Sequence, residues 1–198
     1  MRRQLITGLM MTLAMIVLVG LAYPLAMTGI AQGLMSRQAD GSFVIQNGKV
    51  VGSSLIGQNF LLKNGAPDPR YFQPRPSAAG TGAGYDALNS GGTNLGPSSK
   101  QLIDDVAQRV GAYRKLNGLS PTASVPVDAV TSSASGLDPD ISVANATLQA
   151  ARVASARKLA VSRVLAIVGD HTDNRPFGIL GEKTVNVLDL NLALDRTS

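Results

Sequence analysis

No charged residue lies between Arg3 and Arg37, and from Leu5 to Ile30 the chain reads LITGLMMTLAMIVLVGLAYPLAMTGI, almost wholly apolar. A helix rises about 1.5 Å per residue, so this run spans a hydrocarbon layer of about 30 Å with length to spare. Lipid offers the backbone no hydrogen-bond partners, so the segment must be helical. Pro24 falls toward the far end, where a kink is tolerated, and Tyr23 is placed as an interfacial aromatic. A cleaved signal peptide carries an apolar region of only about 7–15 residues before a small-residue site. The longer run here reads as an uncleaved anchor. Arg2 and Arg3 on its short side place the N-terminus in the cytoplasm by the positive-inside rule. The expected organisation is a cytoplasmic N-terminus over residues 1–4, a transmembrane helix over 5–30, a juxtamembrane linker over 31–42 and an exterior domain over 43–198.

Composition narrows what the remainder can be. Charged residues make up 16% of the chain, against roughly a quarter in an ordinary soluble domain, and the anchor accounts for the deficit. With 44% hydrophobic residues the chain can bury a core and is not a disordered polymer. The formal charge is +5, but the basic residues are scattered and aromatics are only 4%, so no nucleic-acid partner is implied. The absence of cysteine excludes a disulfide scaffold and agrees with an oxidising exterior. No second apolar run long enough to cross a bilayer follows the first.

Beyond the anchor, Phe43 to Gly52 (FVIQNGKVVG) places two β-prone runs around Asn47-Gly48, a pair suited to a type I′ hairpin turn. Ser53 to Phe60 reads as a further short extended piece. Residues 64–98 hold Pro67, Pro69, Pro74, Pro76 and Pro97 with six glycines from Gly80 to Gly96, which excludes a helix or central strand. That stretch also holds Tyr71, Phe72, Arg75, Tyr85 and Asn94, which a simple linker does not need. It therefore reads as an ordered loop, with those five residues as candidates for partner binding or for ordering the loop itself. Apolar spacing predicts a helix from a Ser98 or Ser99 cap to about Leu116, stopped at Gly118. Val125 to Val130 reads as extended, and Thr131 to Pro139 as a polar loop. A Ser142-capped helix is expected to about Arg157, and another over about Val161 to Val168. Val185 to Leu188 reads as a strand, with Leu190 to Leu194 continuing it or turning helical. The mixture gives an α+β class.

Chemistry is hard to find. His171 is the sole histidine and has Asp173 beside it, but no G-x-S-x-G elbow selects a serine partner. Asp138-Pro139-Asp140 lacks the glycine and distal glutamate of a calcium loop, and with no cysteine no zinc or other metal site is expected. Ser90-Gly91-Gly92 and Ser135-Gly136 are capable of forming backbone nests for an anion, without the lysine of a Walker loop, so Ser90, Gly91 and Gly92 are weak nucleotide-binding candidates. The residues alone describe an anchored exterior domain acting as an accessory or interaction subunit. A different class, an anchored exterior hydrolase or ligand-binding domain, remains as the alternative.

Six strings add to this: Tyr71-Phe72-Gln73-Pro74-Arg75-Pro76-Ser77, Gly84-Tyr85-Asp86, Ser90 to Ser98 (SGGTNLGPS), Val125-Pro126-Val127-Asp128, Ser135-Gly136-Leu137-Asp138-Pro139, and Val185 to Asp195 (VNVLDLNLALD). Together and in this order after one apolar helix, they resemble the C-subunit family of the bacterial potassium-transporting Kdp ATPase. The resemblance implies a single-pass subunit of the bacterial inner membrane whose main domain is periplasmic. Its implied partners are a channel-like potassium-translocating subunit, a P-type ATP-hydrolysing subunit and the lipid bilayer. It implies no enzymatic activity in this chain, a role in assembly, and a description as a catalytic chaperone that raises the ATP affinity of the catalytic subunit. ATP is thus implied only by the family description. That role strains against the topology, which leaves only residues 1–4 on the ATP side. One departure from the family pattern is Leu159-Ala160-Val161-Ser162, which lacks the usual acidic first turn and leaves the start of that helix open.

Overall fold

The computed structural model describes residues 1–197, and the chain divides into two compact units, Met1–Ser53 and Ser54–Ser198. The first unit is helical from Arg2 to Ala39: α1 (Arg2–Val17), a π-helical segment (Leu18–Ala22) and α2 (Tyr23–Ala39). Its most apolar window has a mean hydropathy of 2.4, and none of that window is buried within the chain. Pro24 explains the π segment. It has no amide hydrogen to give, and its ring would press on the carbonyl four residues back, so the wider turn just before it absorbs the mismatch. Residues 31–34, within the stretch assigned above to a linker, continue the helix, and after a kink at Met35 a further helical turn runs to Ala39. Met35 leaves the helical region (φ −147°, ψ 51°).

The hairpin forms as the sequence predicts. Strands β1 (Phe43–Gln46) and β2 (Lys49–Ser53) pair antiparallel with a bulge between Val44 and Ile45. Asn47 (φ 51°) and Gly48 (φ 75°) both take the left-handed values that a type I′ turn requires.

In the second unit, Ser54 to Phe60 forms no strand, contrary to expectation; Ile56 makes an isolated bridge, and a further one joins Leu61 to Pro67. Helix α3 (Lys100–Leu116) starts at Ser99, whose hydroxyl accepts from the Leu102 amide. It ends in a Schellman turn, with Gly118 at φ 63° and the Leu119 amide on the Arg114 carbonyl at 2.9 Å. Val125 to Val130 is not extended but turns through a 3₁₀ segment at Val127–Ala129. The turn aims the Asp128 carboxylate at the amide and hydroxyl of Ser142, both at 2.8 Å. Ser142 in turn caps α4 (Val143–Arg157), and the following helix α5 spans Val161–Asp170. It starts at Val161 without a side-chain cap and runs two residues past Val168.

A small sheet completes the unit. β3 (Asp140–Ser142), β5 (Thr184–Asn186) and β4 (Thr172–Asp173) lie in that order, all antiparallel. The strand read at Val185 to Leu188 ends at Asn186, and α6 (Val187–Asp195) begins at once. Asn186 ends it, because its side-chain oxygen caps the new helix through the Asp189 amide while its Nδ2 donates to the Ser54 carbonyl at 2.9 Å. α4, α5 and α6 bury one apolar cluster against the sheet. Ala146, Ala150 and Ala154 let α4 approach closely, and Phe72, Ile141, Val153, Val164, Val185, Leu190 and Leu194 fill the rest. The α+β class read from the sequence stands.

Leu190 is fully buried at the centre of this cluster. Leu190→Ala is expected to lower the unfolding free energy by about 2–5 kcal/mol. Urea titration of the detergent-solubilised chain followed by near-UV circular dichroism measures this, and a loss below about 1 kcal/mol would mean the cavity collapses or the core lies elsewhere.

Candidate functional site

The proline- and glycine-rich loop has no regular structure of its own, so its backbone groups must find partners elsewhere. Two buried carboxamides supply them. Asn191, on α6, accepts from the Phe72 amide at 2.9 Å and donates to the Phe72 carbonyl at 3.0 Å. Gln149, on α4, does the same for the next residue: it accepts from the Gln73 amide at 2.8 Å and donates to its carbonyl at 3.0 Å. Both side chains are 1% exposed. Each carboxamide thus acts as a one-residue β-partner, and two successive residues are held from two different helices.

A polar network stands behind these clamps. Gln149 Nε2 also donates to Asn145 Oδ1, which takes the Tyr113 hydroxyl at 2.8 Å, while Asn145 Nδ2 donates to Asp128. Burial pushes the Tyr113 phenol up, with the Asp128 charge adding to the shift. Arg152 Nη2 donates to Gln149 Oε1 at 2.6 Å, and its Nη1 reaches the Pro69 and Tyr71 carbonyls at 2.8 and 2.9 Å. Desolvation lowers the Arg152 guanidinium to about 10, so it stays charged at neutral pH. Among the described residues, Asn145, Gln149, Arg152 and Asn191 are the structural residues that sequence reading missed. On α4 the signal was a polar side chain recurring at helical spacing, Asn145, Gln149 and Arg152, among alanines and valines; on α6 it was Asn191 set among leucines.

The five loop residues singled out from the sequence have distinct surroundings. Phe72 is fully buried in the core. Tyr71 is half-buried, tilted on Phe60 with ring centroids 5.3 Å apart, under the Arg157 guanidinium at 4.7 Å, with its hydroxyl on Asp195 at 3.2 Å. Arg75 pairs with Asp138 at 2.6 Å. Tyr85 sits at φ 60°, and its hydroxyl donates to the Arg75 carbonyl at 2.9 Å; burial pushes its phenol up. Gly57 makes room for that ring, since a Cβ there would stand 2.4 Å from it and 2.7 Å from the Asp138 carbonyl. Asn94 lies apart from this cluster, exposed, at φ 52°.

The weak nucleotide candidates are engaged within the chain. The Gly91 amide and the Ser90 hydroxyl both donate to the Ser135 carbonyl, at 2.8 and 3.0 Å, and Gly92 lies against the Ala134 backbone. The two strings proposed as separate anion nests are thus brought together as each other's partners. His171 Nδ1 lies 3.0 Å from the Ile167 carbonyl, one turn back at the end of α5. Asp140, half-buried near Asp138 and Asp173, has its carboxyl raised chiefly by burial.

Removing the Gln149 carboxamide would orphan both backbone groups of Gln73, and a buried unsatisfied group costs about 1–3 kcal/mol. Gln149→Ala is therefore expected to cost at least about 2 kcal/mol, read by denaturant unfolding, and to open the loop to limited proteolysis. A variant as stable and as protease-resistant as the parent would show that the clamp does not order the loop. Acid is a second probe. Asp68 is buried against Arg70 at 2.6 Å, and that hydrogen bond holds its carboxyl below the usual range. A carboxylate lowered on folding stabilises above its unfolded pKa and loses that contribution as pH falls through the folded value. Asp68→Asn should therefore make the stability profile flatter below about pH 4. An acid limb as steep as the parent's would assign the effect to other carboxylates.

Comparison with known proteins gives this chain relatives. The family described as "K+-transporting ATPase, c chain" matches residues 5–196. The potassium-transporting ATPase KdpC subunit of Mycobacterium tuberculosis H37Rv is 53% identical over 196 residues, covering 99% of this chain and 100% of the relative. The KdpC subunit of Rhodospirillum rubrum is 50% identical over 195 residues, covering 98% and 96%, and that of Koribacter versatilis is 48% identical over 197 residues, covering 100% and 96%. Six ordered strings, a single apolar helix and a match over nearly the whole length agree: this chain belongs to the KdpC family, the c chain of the K+-transporting ATPase.

Proposed function

We propose that this chain is the accessory, non-catalytic subunit of an ATP-driven potassium-uptake complex, and that it serves assembly. One observation carries the reading. No residue in the most apolar window of the long helix is buried within the chain, while the buried carboxamides of Gln149 and Asn191 in the second unit are spent on ordering its own loop. A side chain committed to holding backbone is not available for chemistry. What remains outward-facing is a surface for other subunits and a helix for lipid and a neighbouring helix. The partners on this reading are a channel-like potassium-translocating subunit and a P-type ATP-hydrolysing subunit. Tyr71, Phe72, Arg75 and Tyr85 order the loop, and the exposed surface around Asn94 faces a partner.

The same reading sets the helix in a bacterial inner membrane with Arg2 and Arg3 inside and the main domain in the periplasm. A raised ATP affinity in the catalytic subunit is then transmitted through the assembled complex rather than through nucleotide held at Ser90, Gly91 and Gly92, where the Ser90 hydroxyl and the Gly91 amide already donate to the Ser135 carbonyl. The alternative of an anchored hydrolase would use His171, whose Nδ1 lies on the helix-terminal Ile167 carbonyl.

Three measurements test this. A reporter that is active only outside the cytoplasm, fused after Ser198, should be active, and activity of a cytoplasm-only reporter there would reverse the orientation. In cells that depend on this pump, deleting residues 1–35 should abolish growth at limiting potassium, since tethering supplies a high effective concentration at the partner. His171→Ala should support growth at the parent rate. Loss of uptake in His171→Ala with complex recovery intact would restore a chemical role for the domain.

A further inference from the structure

Between β4 and β5 the chain leaves the sheet, and Arg175-Pro176-Phe177-Gly178-Ile179-Leu180 forms the exposed connection. Phe177 is 92% exposed, Ile179 78% and Leu180 55%. Single exposed apolar residues need no explanation, but three within four positions, one of them an almost fully solvated phenylalanine, form a patch of the kind that marks an interaction site.

The segment is also held in shape. The Gly178 amide donates to the Arg175 carbonyl at 2.9 Å, and the Ile179 and Leu180 amides both donate to the Pro176 carbonyl, at 3.3 and 3.1 Å. Phe177 itself sits at φ 54°, ψ 14°, a left-handed conformation that a bulky residue rarely adopts. Pro176 stiffens the entry. A backbone that fixes an exposed ring in an uncommon conformation presents a knob with a set direction.

We infer that this apolar knob, Phe177 with Ile179 and Leu180, docks into an apolar pocket with an acidic rim on another subunit of the same ATPase. The inference rests on the accessory-subunit reading and assigns that reading a contact. Charge supplies the rim: Arg175 and Lys183 flank the knob, with Glu182 the single acidic residue among them. A protein pocket fits the observations better than a lipid surface. Insertion into headgroups requires no fixed backbone direction, and Arg175 and Lys183 less Glu182 leave a net charge of only +1, well short of the basic cluster that anionic lipid recognises. A shaped pocket, in contrast, gains from a ring pre-organised before contact, since little conformational freedom is then lost on docking.

The chain has no tryptophan, so Phe177→Trp introduces a unique fluorophore at the tip. The full-length variant would be placed in nanodiscs of neutral lipid, in nanodiscs containing anionic lipid, and in complex with the other ATPase subunits. The inference expects solvent-exposed emission in both nanodiscs and a blue shift with loss of acrylamide quenching only on assembly. In parallel, Phe177→Asp should leave the melting curve of the full chain unchanged, because the ring is exposed. It should weaken association with the other subunits roughly thirtyfold, the size of a hot-spot truncation. A blue shift in anionic nanodiscs without other subunits would overturn the inference in favour of lipid. Emission that stays exposed in a complex that assembles, together with normal recovery of Phe177→Asp, would overturn it and leave the accessory-subunit reading standing. Failure of the parent chain to associate with those subunits would remove that reading and the inference with it.

Discussion

Two hydrogen-bonded carboxamides, Asn191 on Phe72 and Gln149 on Gln73, hold the second unit together in a way that its apolar core alone does not. A segment rich in proline and glycine brings backbone polar groups into the interior and has no ladder in which to place them. The carboxamide matches one residue's amide and carbonyl with its own two ends, and burial makes each of those bonds costly to lose. Phe72 is carried into the core by the backbone to which Asn191 is bonded. The same bonds tie α4 and α6 to one strand-like segment, so helix packing and loop path are set by one arrangement.

The dependence spreads outward from there. Arg152 braces Gln149 and gathers the carbonyls just before the clamp, while Asn145 links Gln149 to Asp128 and thereby to the cap of α4. A functional surface on the loop is therefore only as rigid as this interior network. A non-catalytic role is consistent with that expenditure of polar groups. Carboxamides, a guanidinium and phenols with raised pKa values make a durable scaffold and a poor acid–base apparatus. In the first unit a different constraint governs. An apolar helix satisfies its own backbone groups from Arg2 to Leu34 and absorbs Pro24 as a π-helical turn rather than as a break.

Local features were legible in the sequence wherever one residue type has one conformational use. Asn47-Gly48 made the hairpin turn, Ser99 and Ser142 capped α3 and α4, and Gly118 ended α3. Misreadings came where β-branched residues outvoted a tertiary partner. Val125 to Val130 looks extended, but Asp128 is drawn to Ser142; Val185 to Leu188 looks like one strand, but Asn186 caps a helix in its middle. The candidate loop residues were visible as aromatics and an arginine where a linker needs none. Their division into a buried Phe72, a braced Tyr85 and an outlying Asn94 depended on neighbours far along the chain.

By itself the sequence determined the long apolar helix, the α+β class, most helix boundaries and the family, because hydropathy, capping chemistry and ordered motifs act within a few residues of where they are written. Only the tertiary structure decided which polar residues hold the loop. Gln149 and Gln73 stand 76 positions apart, and Asn191 and Phe72 stand 119 apart, so no local pattern pairs them. It also decided that Ser90-Gly91 and Ser135 satisfy each other rather than an anion, and that Phe177 stands in solvent while Phe72 is buried. Both phenylalanines carry the same hydrophobic driving force; the backbone hydrogen bonds on either side fix which of them reaches the core.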